Sequence, residues 1–159
     1  VSRAIIALGT NLGDRLANLR AALGAIEAAG IVVTRRSFAW ETPPVPADQP
    51  PYLNAAAVGE TTLDPHALLA TLKAIEHSLG RRPGHRWGPR PIDLDILFYD
   101  DLQLATDGLV IPHPHIAERA FVLAPLAEVV EGPLPVLGAT PLELLGRVGL
   151  QGARRLERL

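Results

Sequence analysis

Arg86-Trp87-Gly88-Pro89-Arg90-Pro91-Ile92-Asp93-Leu94-Asp95-Ile96-Leu97-Phe98-Tyr99 joins a basic loop punctuated by Gly and Pro to an apolar strand carrying two aspartates two residues apart. Side chains at i and i+2 of a strand share a face. Ile92, Leu94, Ile96 and Phe98 are therefore expected on one face, and Asp93, Asp95, Leu97 and Tyr99 on the other. Unpaired buried carboxylates are costly, so a strand that sets two of them among apolar neighbours implies a divalent cation or a cationic partner. The two Cα atoms of such a pair lie roughly 6.5–7 Å apart. Their carboxylates can share one ion or hold two at the ~3.5–4 Å spacing of two-metal phosphoryl sites. A lone Asp-x-Asp more often just faces solvent on an edge strand. Here Arg81, Arg82, Arg86 and Arg90 lie just upstream, and guanidinium groups grip phosphate oxygens bidentately. Gly80, Pro83, Gly84, Gly88, Pro89 and Pro91 keep the loop out of helix and permit close approach to a ligand. Solvated basic loops are common, but beside an acidic strand the combination points to Mg²⁺ and phosphate held together.

Outward from this stretch, the chain reads as alternating strands and helices. Ala4–Leu8 is an apolar strand ended by Gly9; Leu16, Leu19, Leu23 and Ile26 recur at helical spacing, with Gly30 as the stop. Residues 31–40 are rich in β-branched side chains and predict a second strand. Glu41 to Pro51 holds five prolines and predicts a surface loop. Leu53–Thr61 predicts a third strand. Asp64-Pro65 starts a helix with Asp as N-cap and Pro at the first position, and Leu68, Leu69, Leu72, Ile75 and Leu79 form its apolar face. After the acidic strand, Asp100-Asp101 begins a hairpin with Leu102-Gln103-Leu104 as the return arm. Leu109–Ile111 leads to Pro112-His113-Pro114-His115 and a short helical segment, and Phe121-Val122-Leu123 predicts a further strand. Thr140-Pro141-Leu142-Glu143 fits a capping box, and the tail from Arg147 is expected to fray. The order strand, helix, strand, strand, helix, strand is that of a ferredoxin-like α+β fold. It predicts an antiparallel sheet with helices mainly on one face and ligand space on the other. No internal repeat or linker divides the chain, so residues 1–159 are expected to form one domain.

Bulk properties exclude more than they select. The net charge of −2 gives no overall pull toward nucleic acid or membrane, so an anion site must be local. Cysteine is absent, which rules out disulfides and thiolate metal sites. No apolar run approaches the ~18 residues of a membrane span, and the chain opens on an apolar strand rather than a charged leader. A cytoplasmic location is the expectation.

Further clusters bear on chemistry. Thr42-Pro43-Pro44-Val45 with Tyr52-Leu53-Asn54 offers a ring, amides and free backbone groups suited to a flat heterocycle, although Pro-rich loops are usually connectors. His113 and His115 lack a third partner at zinc spacing. His113 is expected to donate to phosphate, with a plain surface histidine nearly as common an outcome. Gly9-Thr10-Asn11-Leu12-Gly13-Asp14 lacks the Gly-Lys-Ser/Thr of a P-loop and reads as a tight turn and helix cap.

In order, Ala7-Leu8-Gly9-Thr10-Asn11-Leu12-Gly13-Asp14, Glu41-Thr42-Pro43-Pro44, Tyr52-Leu53-Asn54, the arginine loop, the Asp93–Asp95 strand, Ile111-Pro112-His113-Pro114-His115 and Arg119-Ala120-Phe121-Val122-Leu123-Ala124-Pro125-Leu126 resemble the 6-hydroxymethyl-7,8-dihydropterin pyrophosphokinases of folate biosynthesis. The match runs from Ala4 to about Val130. The resemblance implies transfer of the pyrophosphoryl group of ATP, as co-substrate, to the pterin hydroxymethyl oxygen, leaving AMP. It implies two Mg²⁺ ions on Asp93 and Asp95, and catalytic roles for Arg81, Arg90 and Asp95. The pterin would lie between Tyr52 and Phe121, its edge read by Asn54, Thr42 and backbone around Pro43 and Val45. Arg81, Arg86, Trp87, Arg90, His113 and Arg119 would hold the triphosphate or line the nucleotide site, with Glu76 and Ile96 at the adenosine. The expected partners are these small molecules alone, with no nucleic acid or membrane, and the expected state is a monomer. Pro83, Gly108, Val110 and Pro114 depart from the family pattern at ATP contacts, where Arg82 or His85 would have to compensate for Pro83. Two other readings compete. A metal-dependent phosphohydrolase would need His115 to activate water, and a silent binding module would have no use for the acids and arginines together.

Overall fold

The computed structural model describes residues 1–44, 48–80 and 91–159. Its elements are β1 (Ser2–Thr10), α1 (Arg15–Ala28), β2 (Val32–Arg36), β3 (Phe38–Thr42), β4 (Tyr52–Thr61), α2 (Pro65–Ser78), β5 (Asp93–Tyr99), β6 (Leu104–Thr106), β7 (Leu109–Ile111), a single 3₁₀ turn (Ile116–Glu118), α3 (Ala120–Val129), α4 (Pro141–Val148) and β8 (Arg154–Arg158). The main sheet is antiparallel in the order β5-β1-β4-β3-β8, with β2 also paired to β4. The α+β, ferredoxin-like expectation holds. Among the described residues no helix is long and apolar enough to cross a membrane.

The helix starts follow their capping chemistry. Asp14 accepts from the Ala17 N–H at 3.1 Å and Asp64 from the Ala67 N–H at 2.8 Å, satisfying donors that a helix end otherwise leaves open. Thr140 and Glu143 form the reciprocal capping box of α4. Helices α1 and α2 cover one face of the sheet, where Leu19, Leu23, Ile26, Leu68 and Leu72 meet Ile6, Leu8, Ile92 and Leu94. The opposite face is only half covered. There Leu123, Leu126 and Val129 of α3 and Leu144 of α4 pack on Ile5, Ala56, Val58, Leu97 and Phe98.

Five expectations need correction. Residues 31–40 are not one strand, because Ser37 separates β2 from β3. Its hydroxyl accepts the Ala56 N–H at 2.9 Å and donates to the Phe38 carbonyl at 2.7 Å. Leu97 forms a bulge in β5: Ile6 pairs with Ile96 and Ile5 with Phe98. Phe98 and Tyr99 therefore exchange faces relative to strict alternation, whereas Asp93 and Asp95 keep theirs. Leu102–Leu104 is no return arm of β5. Leu104–Thr106 pairs with Leu109–Ile111 in a separate two-stranded sheet. Phe121–Leu123 lies in α3, not in a strand. A short run that is apolar throughout does not separate buried strand from buried helix by periodicity, and here the helix continues to Val129.

The tail does not fray. Strand β8 pairs with β3 at the sheet edge, where its charged side chains suit an edge strand. Arg155 and Arg158 lie over the Phe38 ring at 4.6 and 5.3 Å, and Arg154 bonds Glu41 at 2.8 Å. Arg154, and then Arg15, hold the Glu41 carboxyl below its ordinary value of 4.5. A carboxyl whose folded value is depressed stabilises fully above its unfolded value and loses that contribution as pH falls through the folded one. The stability gap between this chain and Glu41→Gln, read by urea unfolding, is expected to be widest near neutrality and to close as pH drops below about 4.5.

Candidate active site

The uncovered half of the second face is a cavity of about 260 Å³. Small residues on β1 open it. Ala7 pairs with Asp95 on one side and Ala56 on the other; Gly9 pairs with Asp93 and Asn54. Asp93 and Asn54 thus stand two strand spacings apart, about 9–10 Å, with a glycine between them. A Cβ on Gly9 would lie 3.0 Å from Asn54 Oδ1 and 3.7 Å from the Tyr52 ring. Gly9 is therefore floor, and it does not end the strand as expected, since β1 runs on through it to Thr10. The signal was a glycine continuing a strand pattern, which often marks a close approach.

The walls are Thr42 and Pro43 of the β3 end, Tyr52 and Asn54 of β4, Asp93, Asp95 and Leu97 of β5, then His113, Arg119, Phe121 and Val122. Asn54 Nδ2 donates to Thr42 Oγ1 at 2.6 Å, fixing the amide. Arg119 lies 5.7 Å from the Phe121 ring centre. Phe121 reaches the cavity from the first turn of α3, so the error over its secondary structure leaves its place in the site intact.

A second cavity, about 280 Å³, is lined by Leu69 and Lys73 of α2, Asp95 and Ile96 of β5, Gly108, Leu109 and Val110 of the small sheet, and His113 and Pro114. Asp95 and His113 border both cavities. The His113 N–H donates to the carbonyl of the bulged Leu97 at 2.9 Å, which docks the histidine turn on the acidic strand. His113 Nδ1 lies 2.9 Å from the Pro114 carbonyl oxygen. A carbonyl only accepts, so in this contact Nδ1 carries the proton, and Nε2 offers a further N–H only in the imidazolium form.

Glu76 lies outside the lining of both cavities. It is 2 % exposed on α2. Its Oε2 accepts the Leu94 N–H at 2.7 Å, and Lys73 Nζ lies 3.3 Å away. The carboxylate grips the backbone between the two aspartates from behind. His115 has its Nδ1 3.3 Å from Glu118 Oε2 and also borders neither cavity. Val45, Arg81, Arg82, Pro83, His85, Arg86, Trp87 and Arg90 lie outside the described residues.

Among the described residues no three His, Asp or Glu side chains converge on a metal position. Two carboxylates on one wall nevertheless suit Mg²⁺, which takes oxygen donors, commonly one or two carboxylates with substrate phosphates and water completing the shell. The donor set fits that ion and not a thiolate-loving one.

Residues 5–131 match the family described as 7,8-dihydro-6-hydroxymethylpterin-pyrophosphokinase (HPPK). The chain belongs to this family. It is 43% identical over 159 residues to a Methylorubrum extorquens 2-amino-4-hydroxy-6-hydroxymethyldihydropteridine pyrophosphokinase, covering 99% of this chain and 100% of that HPPK. It is 53% identical over 127 residues to an Arabidopsis thaliana mitochondrial folate synthesis bifunctional protein, covering 79% of this chain and 23% of that one. Against the bifunctional relatives from Arabidopsis and pea, the chain spans about a quarter of their length. Plasmodium falciparum HPPK-DHPS shares the fold with a TM-score of 0.72 at 18% identity, over 98% of this chain and 47% of that one.

Gly9→Ala is expected to push Asn54 off Thr42 and to destabilise the fold by about 1–3 kcal/mol. Urea unfolding gives the stability change, and the Asn54 side-chain amide resonances report the lost bond.

Proposed function

We propose that this HPPK-family chain transfers the pyrophosphoryl group of ATP to the hydroxymethyl oxygen of 6-hydroxymethyl-7,8-dihydropterin, releasing AMP, as a step of folate biosynthesis. The observation that carries this reading is the pair of cavities meeting at Asp95 and His113. One is lined by aromatic rings and a fixed amide, which suits a flat heterocycle. The other opens between α2 and the small sheet and is suited to the nucleotide. A group passing between their ligands must pass the acidic strand.

In this reading Tyr52 and Phe121 stack on the pterin, and Asn54, Thr42 and backbone near Pro43 and Val45 read its edge. Ile96 packs against the adenosine, with Glu76 acting on that side through its hold on β5. Arg81, Arg86, Trp87, Arg90, His113 and Arg119 hold phosphates or line the nucleotide site, and Arg81 and Arg90 stabilise the charge on the migrating group. Asp93 and Asp95 would hold two Mg²⁺ ions, which when bound supply charge neutralisation and a lowered hydroxyl pKa. Transfers of this kind depend on positioning and electrostatics more than on covalent chemistry. We further propose that residues 1–159 act as one pyrophosphokinase domain, cytoplasmic and monomeric, with no nucleic-acid or membrane partner. The phosphohydrolase alternative is weakened by the seat of His115. Its ring pairs with Glu118 and lines neither cavity.

The test is incubation with ATP, Mg²⁺ and the hydroxymethyl-dihydropterin. AMP and the pterin diphosphate are expected in equal amounts, whereas ADP or free phosphate as the product would reject the reading. Asp95→Asn should lower kcat by about a hundredfold or more, the scale seen when a single electrostatic contact to the reacting group is lost, with circular dichroism unchanged. Tyr52→Ala should weaken pterin binding by roughly tenfold through lost stacking while leaving ATP binding near its original value, as titration calorimetry of each ligand would show.

A further inference from the structure

The strand ends that carry Thr42 and Tyr52 are tied together from behind by a single side chain. Arg15, the first residue of α1, donates through Nη1 to the Pro51 carbonyl oxygen at 2.9 Å and through Nη2 to Glu41 Oε2 at 3.0 Å. Glu41 immediately precedes Thr42, and Pro51 immediately precedes Tyr52. The other carboxylate oxygen, Glu41 Oε1, accepts from Arg154 Nη2 at 2.8 Å. Glu41 pairs with Leu53 across β3 and β4, and Leu53 belongs to the core under α1. Alternation therefore sets this network on the face opposite Thr42, Tyr52 and Asn54. The C-terminal segment also supports the rim directly, since a Cβ on Gly152 would lie 2.9 Å from Pro43 Cγ. None of Arg15, Glu41 and Arg154 borders either of the two cavities described above.

We infer that Arg15, Glu41 and Arg154 are positioning residues for the acceptor half of the site, a clasp that sets the Thr42–Pro43 edge against Tyr52 and Asn54. This rests on the pterin reading above. An isolated exposed ion pair would carry little weight. Here one carboxylate is shared by two guanidinium groups, and one of those also holds a backbone carbonyl. Arg15 and Glu41 are only 29% and 25% exposed. Such a network fixes geometry, and a ring held by stacking and by amide contacts to its edge is sensitive to small displacements of its walls. The nucleotide cavity, built from α2 and the small sheet, shares none of these anchors. Arg154 lies beyond residue 131, where the family match ends, so the clasp gives the tail a part in the site.

The test compares Arg15→Ala, Arg15→Lys, Glu41→Gln and Arg154→Ala with the parent chain, in steady-state kinetics with each substrate varied and in backbone amide exchange. Arg15→Ala and Glu41→Gln should raise KM for the dihydropterin about three- to tenfold, with KM for ATP within about twofold. Arg15→Ala/Glu41→Gln should be no worse than the worse single variant, because the two act as one unit. Arg15→Lys should recover only part of the loss, since an ammonium cannot fork to both partners. Arg154→Ala should have the same pattern at smaller size. Amide exchange should quicken at Thr42 and Tyr52–Asn54 but not at Asp93–Tyr99. Equal rises in both KM values, or unchanged exchange at Thr42 and Tyr52–Asn54, would overturn the clasp. If the parent chain makes no AMP from these substrates, the proposed reaction fails, and the exchange pattern by itself decides whether the clasp exists.

Discussion

Everything near the site depends on holding two carboxylates at the surface of a strand whose other face is buried. Leu94, between them, is fully buried against α1 and α2. Its N–H is held by the buried carboxylate of Glu76 at 2.7 Å. Packing fixes the strand's rotation, and the hydrogen bond fixes its backbone between the two acids. Asp93 and Asp95 can then point only toward the half-open face. Burying Glu76 is tolerable because its charge is met by a backbone donor and by Lys73 at 3.3 Å.

The half-covered sheet follows the same logic. Helices α3 and α4 cover one end of the second face with Leu123, Leu126 and Leu144. At the other end, Ala7 and Gly9 on β1 leave room that larger side chains would fill. The Leu97 bulge carries two consequences. It turns Phe98 into the core under α3, and its carbonyl takes the His113 N–H, setting that histidine beside Asp95. One extra residue in a ladder thereby links the acidic strand to the histidine turn.

Much of this was legible in the chain. The caps Asp14, Asp64 and Thr140 and the apolar stripe of α2 act through neighbours a few residues away, so local pattern suffices. The Asp-x-Asp alternation is equally local and survived the bulge because the bulge lies beyond Asp95. What failed was nonlocal. Phe121–Leu123 is apolar on every side, so only its burial against the sheet decides that it is helix. Arg154–Arg158 carries too much charge to read as core, and its partner strand lies more than a hundred residues earlier in the chain.

By itself, then, the sequence determined which segments are amphipathic, where helices begin, and that two acids alternate onto one face of a strand. These depend on backbone periodicity and on side-chain donors and acceptors, which each short stretch carries within it. Only the tertiary structure decided that Gly9 is a floor, that Glu76 braces the acidic strand, that Asp95 and His113 divide two cavities, and that Arg15 and Arg154 meet on Glu41. Each of those is a contact between segments distant in sequence, and a periodic pattern holds no record of which segments will pack together.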